Sequence, residues 1–421
     1  MKAFLVDRVI PGTGEAPLEG AVVLVRDGRI EAILAGPNQG LPSDAEVVDA
    51  PGWSLMPGMV DVHVHLAFSG EPSKRAFRAE GADLPYPRMA LRAARHAADT
   101  LRAGFTAVRD LNAPGGVAID LRDAVEAGEV AGPRIRACGL GLSVTGGHMD
   151  QPGFGDHVRF EGMTSPCNGP DEFRRGVREQ VKRGADLIKI NVCVSSIQDP
   201  KRPYRQEMTD AEIQAACEEA HMLERHVSAH TSGGSAIGTA VKFGLDSVEH
   251  GHWIDDATAD LMAEHGTTYV PTLLVNERNF DFTKEELGAS DAAWRWLELV
   301  REAKWESLDR VRAAGAKIAV GSDAGFMLPH GEMNARELSL LVHGGLSPLE
   351  AITAATKTGA ELLGLQGVGT LEQGRLADML LVRGDPTEDI DILQDATRIR
   401  VLKGGIDVSE SMPDTATRRT S

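Results

Sequence analysis

Between Val60 and Gly321 the chain alternates short β-branched or apolar runs with longer helix-like stretches, a pattern that points to a parallel sheet built from βα units. Eight runs read as strands: Val60–Leu66, Phe105–Arg109, Arg134–Leu140, Leu187–Val192, Val227–His230, Ser247–His250, Thr268–Thr272 and Lys317–Gly321. Helical signals lie between them. Phe173, Val177 and Val181 recur every four residues, and Thr209 with Glu212 makes a capping box ahead of Ile213. Eight such units close into a barrel, so the expected fold class is α/β with a (β/α)8 barrel over residues 58–366.

The flanks have a different texture. Ala3–Val6, Ala21–Val25, Ile30–Leu34 and Glu46–Val48 read as an antiparallel β-segment broken by turns such as Asp27-Gly28 and Pro51-Gly52. Asp378–Val382 and Ile399–Leu402 repeat that texture near the other end. The two ends are expected to share a small β-sandwich domain, residues 1–57 with 367–408, followed by a polar, flexible tail at 409–421.

Charge narrows the partners. Lys and Arg total 44 against 62 Asp and Glu, a net charge of −18, which opposes binding to nucleic acid or to anionic lipid. Cys138, Cys167, Cys193 and Cys217 are far apart with no CxxC pair, so a disulfide framework or zinc knuckle is not indicated and a reducing, cytoplasmic setting is expected. Met1 to Gly14 has no secretory apolar core, and no run of about 18 apolar residues occurs.

Histidines at strand ends carry the chemistry. His63-Val64-His65 places two imidazoles on one face of the first central strand, where both can grip one cation. Chance alone gives roughly 0.4 such triplets in a chain with this many histidines, and a second one occurs at His250 and His252. The setting says more: Lys189, His230, His250 and Asp323 fall toward the C-terminal ends of later strands, the face where barrel active sites are built. Lys189 stands inside an apolar strand, which is costly unless the amine is paired or uncharged. One explanation is a buried ion pair. The other is a carbamate, formed from the neutral amine and carbon dioxide, whose two oxygens can bridge two cations.

The segment Leu55-Met56-Pro57-Gly58-Met59-Val60-Asp61-Val62-His63-Val64-His65 resembles the opening metal motif of the metal-dependent amidohydrolase superfamily. Lys189, His230, His250 and Asp323 match its strand-four lysine, strand-five and strand-six histidines and strand-eight aspartate in order, and the stretch Gly369–Asp378 is similar to the family's return to the small β-domain. Within the superfamily the chain resembles the prolidase-like group of Xaa-Pro dipeptidases and ochratoxin-hydrolysing amidases. The marks are Thr145-Gly146-Gly147-His148, the steps from Lys189 to His230 to His250, and Pro329-His330-Gly331 leading to Asn334 and Glu337-Leu338. The chain departs from the group after Lys189, where Asn191–Ser196 and Pro200–Arg205 replace a glycine-rich stretch.

The resemblance implies a hydrolase of a carbon–nitrogen amide bond in an N-acyl amino acid or small peptide. Its cofactors would be two divalent metal ions, zinc first, with cobalt, manganese or iron permitted by the same donors. His63, His65, carboxylated Lys189 and Asp323 would hold the more buried ion, and Lys189, His230 and His250 the second. A bridging hydroxide would attack the carbonyl, with Asp323 moving its proton and His148 donating to the oxyanion. Arg205 has the fork that a substrate carboxylate would need, and a surface arginine explains it equally well. His252 is either a substrate contact or a hydrogen-bonded neighbour, and Cys193 is close enough in sequence to Lys189 to line the pocket. His96, His221 and His265 read as surface or capping residues. Carbamates, ureas and lactams are alternative substrates, and a non-catalytic self-associating relative is a reading of another class. A homo-oligomer is compatible with an enzyme of this kind.

Overall fold

A computed structural model describes residues 1–36, 41–72, 83–150, 162–193 and 205–409. The chain begins with β1 (Lys2–Val9), β2 (Leu18–Glu19), β3 (Val22–Arg26), β4 (Arg29–Leu34) and β5 (Glu46–Pro57). β1 pairs antiparallel with β2 and β3, and β3 with β4, but β1 and β5 run parallel. The expectation of a purely antiparallel segment is thus corrected. Residues 35–45 are too many for a hairpin turn, and β5 settles beside β1 rather than beside β4.

Two parallel sheets follow. β6 (Met59–Val64), β7 (Phe105–Asp110) and β8 (Arg134–Ala137) form one. β9 (Leu142–Ser143), β10 (Ser165–Pro166), β11 (Leu187–Asn191), β12 (His226–Gly233), β13 (Ser247–Trp253) and β14 (Thr268–Val270) form the other, in the order β10-β9-β11-β12-β13-β14. The anticipated central strands from Val60 to Thr272 are all present with shifted ends. The short β9 and β10 are additions.

The expected strand Lys317–Gly321 is different: it makes isolated parallel bridges, Ile318 to Tyr269 and Ala324 to Val64. Ala319 N donates to Tyr269 O at 3.0 Å and Val62 N to Val320 O at 2.9 Å, so the segment lies between β14 and β6. Two of its amides leave the ladder, Val320 N for Ala354 O at 3.3 Å and Ser322 N for Asp61 Oδ1 at 3.0 Å. A Cβ at Gly321 would sit 2.4 Å from Val270 Cγ1 and 2.8 Å from His63 Cβ, so only glycine admits this approach.

β15 (Met379–Arg383), β16 (Ile399–Lys403) and β17 (Ile406–Asp407) then rejoin the first sheet, giving eight strands drawn from both flanks. β5 is its middle: Glu46–Ala50 pair with Lys2–Val6, and Trp53–Pro57 pair antiparallel with β15. Phe4, Val23, Ile30, Leu55, Met379, Leu381 and Leu402 are buried together on it. At about 25 cal/mol per Å² this apolar burial is what joins the two ends.

The helix Asp210–Met222 starts as its sequence indicates, with Thr209 Oγ1 accepting from Glu212 N at 3.3 Å and Thr209 N donating to Glu212 Oε2 at 2.7 Å. Phe173 and Val177 on the helix Pro170–Lys182 are fully buried. Among the described residues no helix is long and apolar enough to cross a membrane. All four cysteines are free and buried.

Candidate metal centre

Alternation along β6 sorts its side chains. Val60 and Val62 pack with Ala107, Val270 and Ala360, which leaves Asp61 and His63 on the opposite face with His65 just beyond the strand. Lys189 lies in β11, His230 in β12 and His250 in β13, and Asp323 follows the bridging segment. Asp323 Oδ1 is 3.1 Å from His65 Nε2 and 3.5 Å from His63 Nε2. Single donor atoms of His63, His250 and Asp323 lie within 4.8 Å of one another. The His63 and His250 rings are 5.0 Å apart, those of His230 and His250 4.5 Å, and His148 stacks on His230 at 3.9 Å. Lys189 is buried, and its charge acts on His63, His230 and His250.

Backbone conformation marks the same place. His250 (φ 69°) within β13, Thr272 (φ 47°) shortly after β14 and Asp323 (φ 61°) after the bridging segment are left-handed non-glycine residues. Each costs of order 1–3 kcal/mol, which surrounding contacts must offset, and such strain concentrates at functional sites.

A buried polar shell holds these residues; its members Asp61, Asn334 and Glu337 stand in the motifs quoted above, whereas Arg109, Glu249, Thr272 and Lys304 are not among the residues the sequence singles out. Glu249 Oε2 lies 2.8 Å from His63 Nδ1. Its other oxygen accepts from Arg109 Nη2 at 2.7 Å, Ser247 Oγ at 2.6 Å and Ser228 Oγ at 2.8 Å. Asp61 accepts from His63 N, from Ser322 N and Oγ, and from Asn334 Nδ2 at 2.8 Å, which ties β6 to the turn carrying Asp323. Behind His250, Nδ1 lies 2.8 Å from Thr272 Oγ1, and Lys304 Nζ donates to Thr272 O at 2.6 Å and Oγ1 at 3.0 Å. Glu337 accepts from Leu273 N and Leu274 N at 2.9 and 2.7 Å, fixing the backbone after Thr272. Arg109 follows Phe105-Thr106-Ala107-Val108 in a largely apolar run, the same signal that singled out Lys189, whereas Glu249 stands in the polar run Ser247–His252 and carries no such signal.

Burial and charge set the protonation states. Burial pulls His63 down to about 4 and Lys189 to about 8, so both favour their neutral forms more than usual. His230 and His250 are driven far below the ordinary histidine value by burial and by neighbouring cationic groups. Burial opposes ionisation of Glu249, but Arg109 and the bond from His63 outweigh it and hold the carboxylate well below its usual range. For Asp323 burial is likewise outweighed, by His63 and His65, and the group is lowered. Asp61 rises to about 6 through burial.

The remaining candidates separate. The His148 backbone N donates to Glu207 Oε2 at 2.9 Å, while Arg205 Nη2 donates to Glu207 Oε1 at 3.2 Å, so one carboxylate joins the two expected substrate contacts. Arg205 is exposed. His252 is buried beside Trp253, and its Nδ1 has no hydrogen-bond partner among the described residues. Cys193 is buried, with its thiol pushed up to about 11 by burial. The loop 194–204 that follows it lies outside the described residues, as does 410–421 of the expected tail. His221 is exposed against Asp246 at 3.0 Å and His265 is exposed, as expected. His96 is the correction: it is buried, donates from Nδ1 to Leu66 O at 2.8 Å and stacks on His330 at 4.4 Å, because its helix turns that face onto the chain leaving β6.

The donors fit a divalent cation. Lys189 Nζ, His230 Nε2 and His65 Nδ1 are buried without a hydrogen-bond partner among the described residues, a state that costs about 1–3 kcal/mol for each group. Imidazole nitrogens with a carboxylate are the donor types that zinc and its transition-metal neighbours take.

The amidohydrolase family model matches residues 54–406. The chain is 31% identical over 419 residues to the ochratoxinase of Aspergillus niger, covering 94% of this chain and 84% of that protein. Among solved structures, a Xaa-Pro dipeptidase with methionine bound in its active site is 31% identical with a TM-score of 0.86, covering 96% of this chain and 99% of the other. A prolidase complexed with N-methylphosphonate-L-proline is 32% identical with a TM-score of 0.82, covering 97% and 99%.

Proposed function

The chain belongs to the amidohydrolase family, within its prolidase-like group, and from that premise we propose that it hydrolyses the amide bond of an N-acyl amino acid or small peptide with the help of divalent metal ions. The supporting observation is the meeting of His63, His250 and Asp323 donors within 4.8 Å, with the charge of a buried Lys189 that lacks a hydrogen-bond partner among the described residues acting on both histidines. The parallel strands and the bridging segment 317–324 are read as one closed (β/α)8 barrel, with residues 1–57 and 367–408 as its attached β-domain.

His63, His65, Lys189 and Asp323 would hold the more buried ion, and Lys189, His230 and His250 a second. When bound, such ions acidify water and polarise a carbonyl. Lys189 is read as a carbamate: its neutral amine forms an N–C bond to carbon dioxide and releases a proton, which extends the side chain by a carboxylate whose single negative charge is shared by two oxygens. Asp323, kept ionised by His63 and His65, takes a proton from the attacking water and returns it to the leaving nitrogen. His148, stacked on His230, donates to the oxygen that gains charge. Arg205 pairs with a substrate carboxylate, its orientation shared with His148 through Glu207.

The test is metal analysis of protein reconstituted with zinc and bicarbonate, joined to hydrolysis assays on dipeptides, N-acyl amino acids, aryl carbamates and lactams. The expected result is at least about one metal per chain with turnover concentrated on the first two substrate classes. Metal-free protein without turnover after reconstitution overturns the metal-dependent reading. Turnover confined to carbamates or lactams transfers the same centre to those substrates.

A further inference from the structure

His63 and His250 face one another across the centre, yet their far sides are anchored differently. A carboxylate accepts hydrogen bonds only, so the 2.8 Å contact with Glu249 means that His63 Nδ1 carries the proton and Nε2 presents its lone pair toward Asp323. An imidazole donating to a carboxylate is a more basic ligand than one donating to a neutral group. His250 Nδ1 instead meets the Thr272 hydroxyl at 2.8 Å, and that oxygen already accepts from Lys304 Nζ at 3.0 Å. A hydroxyl is a weaker acceptor than a carboxylate, and Lys304 draws on the same oxygen.

We propose that His63 and His250 are unequal metal ligands: Glu249 makes His63 the retained donor, and Thr272, engaged by Lys304, leaves His250 the exchangeable one. Glu249, Thr272 and Lys304 are positioning residues in this scheme, since each acts through an imidazole. The proposal rests on the metal-dependent reading above. Its consequence is that a cation held through His250 leaves first when metal becomes scarce.

Thr272 offers a test that does not depend on removing a buried ion pair. Its left-handed backbone, φ 47°, is one that Asp and Asn tolerate better than most residues. Thr272→Asp sets a carboxylate behind His250, and Thr272→Asn sets a neutral amide of the same shape there. Zinc affinities are measured by competition against a chromophoric chelator, beginning from reconstituted protein, with circular dichroism to verify folding. Thr272→Asp is expected to hold zinc at least about threefold more tightly than Thr272→Asn. Glu249→Gln is expected to weaken zinc binding about tenfold or more. Thr272→Asp binding no more tightly than Thr272→Asn overturns the proposal, because damage to the structure alone would not favour the charged variant. Wild-type protein that takes up no zinc defeats the parent reading as well. Normal uptake and turnover with the two Thr272 variants equal defeats this inference alone.

Discussion

Arg109 Nη2 stands 2.7 Å from Glu249 Oε1 in the interior of the parallel strands, where the two side chains are 2% and 0% exposed. Arg109 also donates from Nε to Val62 O at 2.5 Å and from Nη1 to Ser247 Oγ at 3.0 Å, so β6, β7 and β13 meet on one guanidinium. Arg109→Met should cost about 3–5 kcal/mol, because Glu249 would keep its charge in a buried site without its cation. Urea unfolding measures this, and a loss below about 1 kcal/mol would show that solvent reaches Glu249.

Asp323→Asn preserves shape and a carbonyl oxygen but cannot accept and return a proton. Turnover should fall at least about a hundredfold while zinc content stays near that of the wild type. Activity close to wild type with full metal content would remove Asp323 from the proton path.

Lys189→Met separates two explanations of a buried lysine. The Nζ atom has no hydrogen-bond partner among the described residues, so an apolar chain of similar length should leave the metal-free protein at least as stable as before, by up to about 1–3 kcal/mol. Hydrolysis should be lost. A large destabilisation of metal-free protein together with normal turnover would identify Lys189 as a structural cation.

Acid should act on the buried His96. Burial lowers its folded-state value to about 3, against roughly 6.5 in an unfolded chain. The unfolded state therefore binds the extra proton, and stability is retained above pH about 6.5 and lost as pH falls toward 3. Between pH 7 and 5 this one group accounts for about 2 kcal/mol. His96→Gln should lose that much less than the wild type in unfolding titrations at the two values, and an equal loss would mean that His96 is protonated in the fold.

What the sequence makes legible is whatever depends on a residue's own strand. Period-two alternation puts His63 with Asp61, and the short strand-like runs around Val227 and Val248 lead directly into His230 and His250. What depends on a distant partner is not legible. Lys304 lies on the helix Asp291–Ala313 among Arg and Glu residues and reads as a surface cation, yet it is 1% exposed because its ammonium reaches Thr272 O. The irregularity of the segment after Lys317 likewise arises from Ala354 O and the Asp61 side chain, neither of them near it in sequence. The parallel course of β1 and β5 is a pairing between segments some forty residues apart, which no local pattern encodes.

β5 has a consequence for biosynthesis. Trp53–Pro57 emerges from the ribosome more than three hundred residues before its partner Met379–Arg383, and Pro57 is followed by Gly58 and then directly by the strand bearing His63. Until the partner arrives, that edge offers unpaired amides and carbonyls beside buried-type side chains such as Leu55 and Met56, a template for pairing with other nascent chains. Co-translational folding of the sheet cannot finish before Met379–Arg383 and Ile399–Lys403 have been made, so the window for misassembly is set by elongation rate. Faster elongation, or a chaperone that shields this segment, would raise the yield of active protein.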